Sequence, residues 1–167
     1  MSELFANPYD TSVQGFYFSS YEEYETRSSQ LINDCGYPVE EFEIEFIDGD
    51  LCQLFSACDI TQCTLKKWFD EIEDLPEAEQ TELFYRCDNL NQNTQEALDN
   101  LNSDGYIQQC SLSDYAYESV NDSGVIDSLP ETLQCYFNHE AYARDLEING
   151  EVAEFTYDST TYVAAGF

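Results

Sequence analysis

Positive charge is nearly absent from this chain. Five Lys+Arg stand against 35 Asp+Glu in 167 residues, a formal net charge of −30 and a sequence pI near 4.1. Proteins that grip nucleic acid neutralise phosphates with Lys and Arg, so this balance rules out a direct nucleic-acid binder of the ordinary kind. Attachment to an anionic membrane surface is ruled out on the same ground. Histidine occurs once, as His139, so metal sites built on several imidazoles cannot form. A Ser-His-Asp or Cys-His unit would have to run through that one residue, and no nucleophile signature lies near it. No catalytic residue, metal or cofactor is therefore assigned. The seven cysteines (Cys35, Cys52, Cys58, Cys63, Cys87, Cys110 and Cys135) are odd in number and contain no C-x-x-C, the nearest pair being Cys58 and Cys63. Free thiols in a reducing compartment are expected. No apolar run reaches 18 residues, and the start, Met1 to Asp10, has neither a basic nor an apolar leader segment. The expectation is a cytoplasmic protein without a membrane span.

Two stretches approach a calcium loop and fail it. Asn100-x-Asn102-x-Asp104-Gly105 begins on Asn and has Ser111 at the twelfth position, where a bidentate Glu belongs. Asp145-x-Glu147-x-Asn149-Gly150 has Thr156 there. Its better reading is a β-hairpin, with Leu146–Ile148 and Glu151–Phe155 as strands around an Asn149-Gly150 turn.

What the chain does have is apolar and aromatic substance: 43% hydrophobic residues, 13 Tyr and 11 Phe. That is enough for a packed core and too much for a disordered acidic tail. The pattern reads as α+β, three small domains in a row: 1–60, α+β and β-rich; 61–103, helical; 104–167, α+β. In the first, Gly15–Phe18 reads as a strand, and Ser20-Tyr-Glu-Glu23 as a capping box opening a helix to Asp34 with Gly36 past its end. Glu41–Phe46 alternates strictly, placing Phe42, Ile44 and Phe46 inward and Glu41, Glu43 and Glu45 outward. Leu51–Phe55 reads as a returning strand. In the middle, Thr64 is the expected cap of a helix bearing Leu65, Trp68, Phe69, Ile72 and Leu75, with Asp70, Glu71, Glu73 and Asp74 on its other face. Pro76 suits the first position of a second helix, and a short third carries Ala97, Leu98 and Leu101. Further on, a helix is expected around Ser113–Val120. Another opens at Pro130 with Leu133, Tyr136, Phe137, Ala141 and Arg144 at helical spacing, and Thr161–Ala164 is the last strand.

Acids are spread over every part: net −12 in 1–60, −7 in 61–103 and −11 in 104–167. A compact monomer exposes on the order of 8,000 Å², so an even coat would carry roughly one charge per 280 Å². Duplex DNA, taken as a cylinder about 20 Å wide, carries roughly one per 100 Å². Only an elongated shape or an acid-crowded face approaches DNA. The Glu41/Glu43/Glu45 rail sets a carboxylate every ~6.8 Å, roughly every second phosphate of one strand. Charge alone leaves three readings open: a halophile-type surface or acidic calcium-binding domain, a DNA mimic, and some other acidic module.

The stretch Leu129 to Leu146 resembles the antirestriction motif of ArdA-type proteins, through Pro130, Leu133, Tyr136, Ala141, Tyr142, Arg144, Asp145 and Leu146, with Phe137 beside them. More weakly, Gly15–Phe18, Glu22–Ile32 and Glu40–Asp50 look like that family's N-terminal part and Leu65–Leu75 like its central helical part. His139 stands where an acid is usual, and Phe16–Tyr17 replace an expected Trp. The resemblance implies a product of plasmids, transposons or phages, thin and curved, dimerising through its C-terminal part. It also implies a non-enzymatic DNA mimic that fills the DNA-binding groove of type I restriction–modification enzymes and blocks cleavage and methylation. The acids expected to imitate phosphates are Glu22, Glu23, Glu41, Glu43, Glu45, Asp48, Asp50, Asp70, Glu71, Glu73, Asp74, Glu77, Asp114, Glu118 and Asp122. The motif residues are expected to order the C-terminal part and its homodimer. A mimic aimed at another DNA-binding protein is the alternative.

Overall fold

Alternation of side chains builds the first sheet. In the computed structural model, which describes residues 2–167 apart from the side chains of Glu131 and Leu133, β1 (Glu3–Pro8) turns Leu4, Ala6 and Pro8 inward. It pairs antiparallel with β2 (Phe16–Phe18) on one side and β3 (Phe42–Asp48) on the other, giving the order β2-β1-β3. Leu4 and Ala6 are fully buried, and Phe18, Phe42 and Ile44 close the same face. The helix α1 (Tyr21–Ser28) lays Tyr24 on it, with ring centroids 5.2 Å from Phe18 and 6.0 Å from Phe42. Ser20 caps the helix as read, but the return bond from Glu23 goes one residue further back than a capping box has it. Ser20 Oγ accepts from Glu23 N–H at 3.2 Å, and the Glu23 carboxylate reaches back to Ser19 N–H at 3.1 Å.

The chain is α+β and divides into two compact units, Met1–Asp99 and Asn100–Phe167. The first unit holds the sheet, α1 and five further helical pieces: α2 (Cys52–Ala57), α3 (Leu65–Lys67), a π-helical turn (Trp68–Ile72), α4 (Glu77–Asp88) and α5 (Thr94–Asp99). Its centre is Trp68, fully buried, with the rings of Phe55 and Phe46 edge-on at 5.1 and 6.5 Å. Leu54, Leu65, Ile72 and Leu83 are also fully buried.

Several elements depart from the sequence reading. The first helix stops at Ser28 and does not reach Asp34. Ser28 and Ser29 hydroxyls bond back to Glu25 and Thr26 carbonyls, and Asn33 Oδ1 collects Cys35 and Tyr37 N–H in a turn of its own, so the backbone has partners outside a helix. Residues 51–55 are not a strand. Leu54 and Phe55 are both buried, which adjacent strand residues cannot be on one face, and the segment is helical through α2. Thr64 does not cap α3; its hydroxyl accepts from Thr61 N–H instead. The helix after Leu65 then widens, Glu73 N–H bonding Trp68 C=O at 2.9 Å, which keeps both Trp68 and Ile72 inward. Pro76 lies one position outside α4, as its cap residue.

In the second unit β4 (Tyr106–Gln108), β5 (Val152–Tyr157) and β6 (Thr160–Ala165) form an antiparallel sheet in the order β4-β6-β5. The helix α6 (Leu112–Asp122), capped by Ser111, and α8 (His139–Ile148) cover it; between them lies the short α7 (Glu131–Gln134). Ala116, Ala143, Leu146, Val152, Val163 and Ala165 make the core. The single helix expected from Pro130 to Arg144 is two, because Asn138 takes an extended conformation and its side chain caps α8 by accepting from Ala141 N–H at 3.0 Å. Leu146–Ile148 finish that helix and form no strand; Asn149 is its C-cap and Gly150, at φ +73, the left-handed residue after it. The hairpin turn is Asp158-Ser159, at φ +46 and +61, joining β5 to β6.

Two outcomes follow from this packing. A Cβ at Gly15 would lie 2.4 Å from Ala6 O and 2.5 Å from the Phe5 ring. Gly15→Ala should therefore cost about 1–3 kcal/mol in urea unfolding. Burial pushes Tyr24 up to about 12, and burial with the Tyr106 hydroxyl at 2.7 Å does the same for Tyr115. A raised folded-state pKa favours the protonated form. Their contribution to stability should be whole below the ordinary value of 10.0 and lost as pH climbs through about 12, read by circular dichroism beside tyrosinate absorbance.

Candidate functional site: an acidic sheet face and a C-terminal motif

β1 and β3 place their outward residues in cross-strand rows. Glu45 stands opposite Phe5, Glu43 opposite Asn7 and Asp48 opposite Glu3, while Tyr17 of β2 flanks Phe5 from the other side. Glu43 and Glu45, with Glu41 just before the strand, are exposed as the alternation requires. Asn7 Nδ2 donates to Glu45 Oε1 at 3.1 Å, which fixes that carboxylate without removing its charge. The Phe5 and Tyr17 rings meet at 4.8 Å beside it. These neighbours were missing from the sequence reading because β1 was not recognised, although Glu3, Phe5 and Asn7 alternate with buried Leu4, Ala6 and Pro8.

Of the fifteen acids expected on the outer surface, thirteen are exposed: Glu22, Glu41, Glu43, Glu45, Asp48, Asp50, Asp70, Glu71, Asp74, Glu77, Asp114, Glu118 and Asp122. Two are half-buried and occupied with the fold. Glu23 pairs with Arg27 at 2.7 Å as well as capping α1, and Glu73 accepts from Ser2 N–H at 2.5 Å. Asp114 and Glu118 accept from Ser111 and Gln108, neutral donors that leave the charge in place.

Of the five cations only Arg86 is buried, while Arg27, Lys66 and Arg144 are exposed and Lys67 is half-buried. Arg86 is buried against Glu82 at 2.8 Å, Arg27 is paired as above, Lys67 donates to Gln95, and Lys66 lies 5.8 Å from the centre of the Tyr21 ring. Arg144, exposed on α8, makes no ion pair with Asp145 or any other of the described residues. With five cations against 35 acids, the exposed carboxylates far outnumber the positive charges beside them.

The C-terminal motif separates into inward and outward residues. Leu146 is in the core, while Ala141, Arg144, Asp145 and Pro130 are exposed and Tyr136 is 80% exposed. The Leu133 side chain lies outside the described residues. Phe137 is half-buried, its ring 4.9 Å from His139 and 5.8 Å from Tyr142, and His139 meets Tyr117 of α6 at 5.0 Å. An aromatic chain thus ties the start of α8 to α6. The helical stripe expected to bury Tyr136 does not do so, because the break at Asn138 turns the two helical pieces to different phases.

Fold and surface together define a small α+β protein whose dominant chemical feature is uncompensated carboxylate. Residues 3–161, nearly the whole chain, match the family of the antirestriction protein ArdA, and the chain belongs to that family. It is an antirestriction protein. No curated protein matches the chain. Among the described residues no helix is long and apolar enough to cross a membrane.

The division of the motif has a direct consequence. Leu146→Ala should lose about 2–5 kcal/mol in denaturant unfolding, whereas Tyr136→Ala should stay within about 0.5 kcal/mol of the parent.

Proposed function

We propose that this protein counters restriction by imitating DNA. It occupies the DNA-binding groove of a type I restriction–modification enzyme in the bacterial cytoplasm and blocks both cleavage and methylation, without catalysing a reaction. It works as a homodimer joined through the C-terminal unit, where Tyr136, Ala141, Arg144 and Asp145 are exposed.

The carrying observation is the outward row of β3. Thirty net charges over 10127 Å² is one per about 340 Å², more than threefold sparser than a DNA cylinder, so an average surface does not suffice. Strand geometry supplies the concentration locally, with carboxylates of Glu41, Glu43 and Glu45 at ~6.8 Å intervals on a rigid sheet. The scarcity of cations supports the reading, since Arg86 is buried against Glu82 and the exposed Arg27 is paired with Glu23, which leaves little positive charge to break the imitation. Tyr136 and Arg144, exposed on the C-terminal unit, are of the residue types enriched where protein surfaces meet.

Charge mimicry spreads recognition over many weak pairs, which sets the expected mutational pattern. Glu43→Gln or Asp70→Asn alone should weaken inhibition by ~1 kcal/mol or less. Glu41, Glu43 and Glu45 changed together to Gln should weaken it clearly more, at unchanged circular dichroism. Inhibition should also fall steeply between low and physiological salt, because each carboxylate displaces anions from the enzyme's basic groove. Salt-independent inhibition, or its abolition by a single Glu→Gln with fold and dimer intact, would overturn the distributed-charge mechanism.

A further inference from the structure

The helical part of the first unit brings two thiols together that the antirestriction reading does not use. Cys58 ends α2 and Cys87 lies in the last turn of α4, and their Sγ atoms are 3.9 Å apart. Both are buried, at 2% and 7% exposure, whereas Cys35, Cys52, Cys63 and Cys135 are exposed. Cys58, though not Cys87, lines a cavity of about 330 Å³ whose wall includes the exposed Asp59, Asn93 and Gln95, so small solutes approach the pair from the Cys58 side. Thr94 Oγ1 donates to Cys58 C=O at 2.5 Å and holds α5 against the same corner. The contact between the thiols splits their chemistry. Hydrogen bonding from Cys58 holds the Cys87 thiol below its ordinary value, while that bond and burial push Cys58 up. A thiolate-prone sulfur beside a proton-holding one is the arrangement that dithiol oxidation needs.

We propose that Cys58 and Cys87 form an oxidation site, at which a small peroxide closes an intramolecular disulfide between the end of α2 and α4. The Cys87 thiolate attacks one oxygen of hydrogen peroxide and the O–O bond breaks. Hydroxide leaves, taking up the proton Cys87 released, as the first water, and Cys87 is left as the sulfenic acid. The Cys58 sulfur then attacks the Cys87 sulfur and expels its hydroxyl, which leaves with the Cys58 proton as the second water. Two thiols lose two electrons and two protons, and one peroxide becomes two waters. An S–S bond is about 2.05 Å long, so the sulfurs must close by roughly 1.9 Å. The loop enclosed contains Trp68, the centre of the unit's core. The site stands independently of the antirestriction mechanism.

The test uses the full-length protein and a full-length variant with Cys35, Cys52, Cys63, Cys110 and Cys135 changed to Ser. Both are treated with hydrogen peroxide while folded, then unfolded, alkylated and mapped by mass spectrometry. The expected result is a Cys58–Cys87 linked peptide in both, protection of both sulfurs from alkylation, and a rise in Tm on the order of 10 °C that dithiothreitol reverses. Cys87→Ser should show neither the link nor the rise. Free, alkylatable Cys58 and Cys87 after oxidation, arrest at a sulfenic or sulfinic acid, or linkage of Cys58 to an exposed cysteine would overturn the proposal. Should the five-serine variant fail to fold, the peptide map of the unaltered chain decides the question alone.

Discussion

Self-repulsion among thirty uncompensated negative charges is the constraint on which the rest of this structure depends. Like charges on a compact body disfavour the folded state, and here the five cations cannot relieve them. Aromatic burial does the opposing work. Phe18, Tyr24 and Phe42 close the first sheet, and Phe46, Phe55 and Trp68 join it to the helices behind. Each such ring buries a large apolar area and gains further from its tilted or edge-on neighbours. The acids are then free to face outward, where water and salt screen them.

The same constraint explains where the cations lie. Arg86 has its guanidinium buried with Glu82, and Arg27 closes the α1 cap through Glu23. Both sit where they order backbone or helix ends, and neither dilutes the β3 rail. Arg144 differs: it is exposed, on a helix whose opposite side is core.

Much of this was legible in the sequence wherever one period dominated. The alternation of Glu41–Phe46 gave the strand and its acidic face, and Ser20 gave the cap. Segments failed where local side-chain chemistry competed with periodicity. Ser28, Ser29 and Asn33 offered the backbone partners that end α1 early, and Asn138 interrupted a stripe that otherwise reads as one helix. Asn149-Gly150, the strongest short hairpin signal in the chain, serves instead as a helix stop, a role that the same left-handed conformation suits equally. Leu51–Phe55 was too short for its period to separate helix from strand. The engagement of Glu23 and Glu73 with the fold, and the row of Phe5 and Tyr17 beside Glu45, depend on pairings across the sheet and between distant segments. No local pattern encodes those.

The central claim is that the carboxylate surface takes the place of DNA. Its most direct test is competition between this protein and a labelled duplex, bearing the recognition sequence, for a purified type I methyltransferase. Mutually exclusive binding is predicted, with the protein displacing the duplex completely and the apparent affinity of each falling as the other is raised. A ternary complex of enzyme, duplex and protein, with the duplex still bound at saturation, would contradict the account.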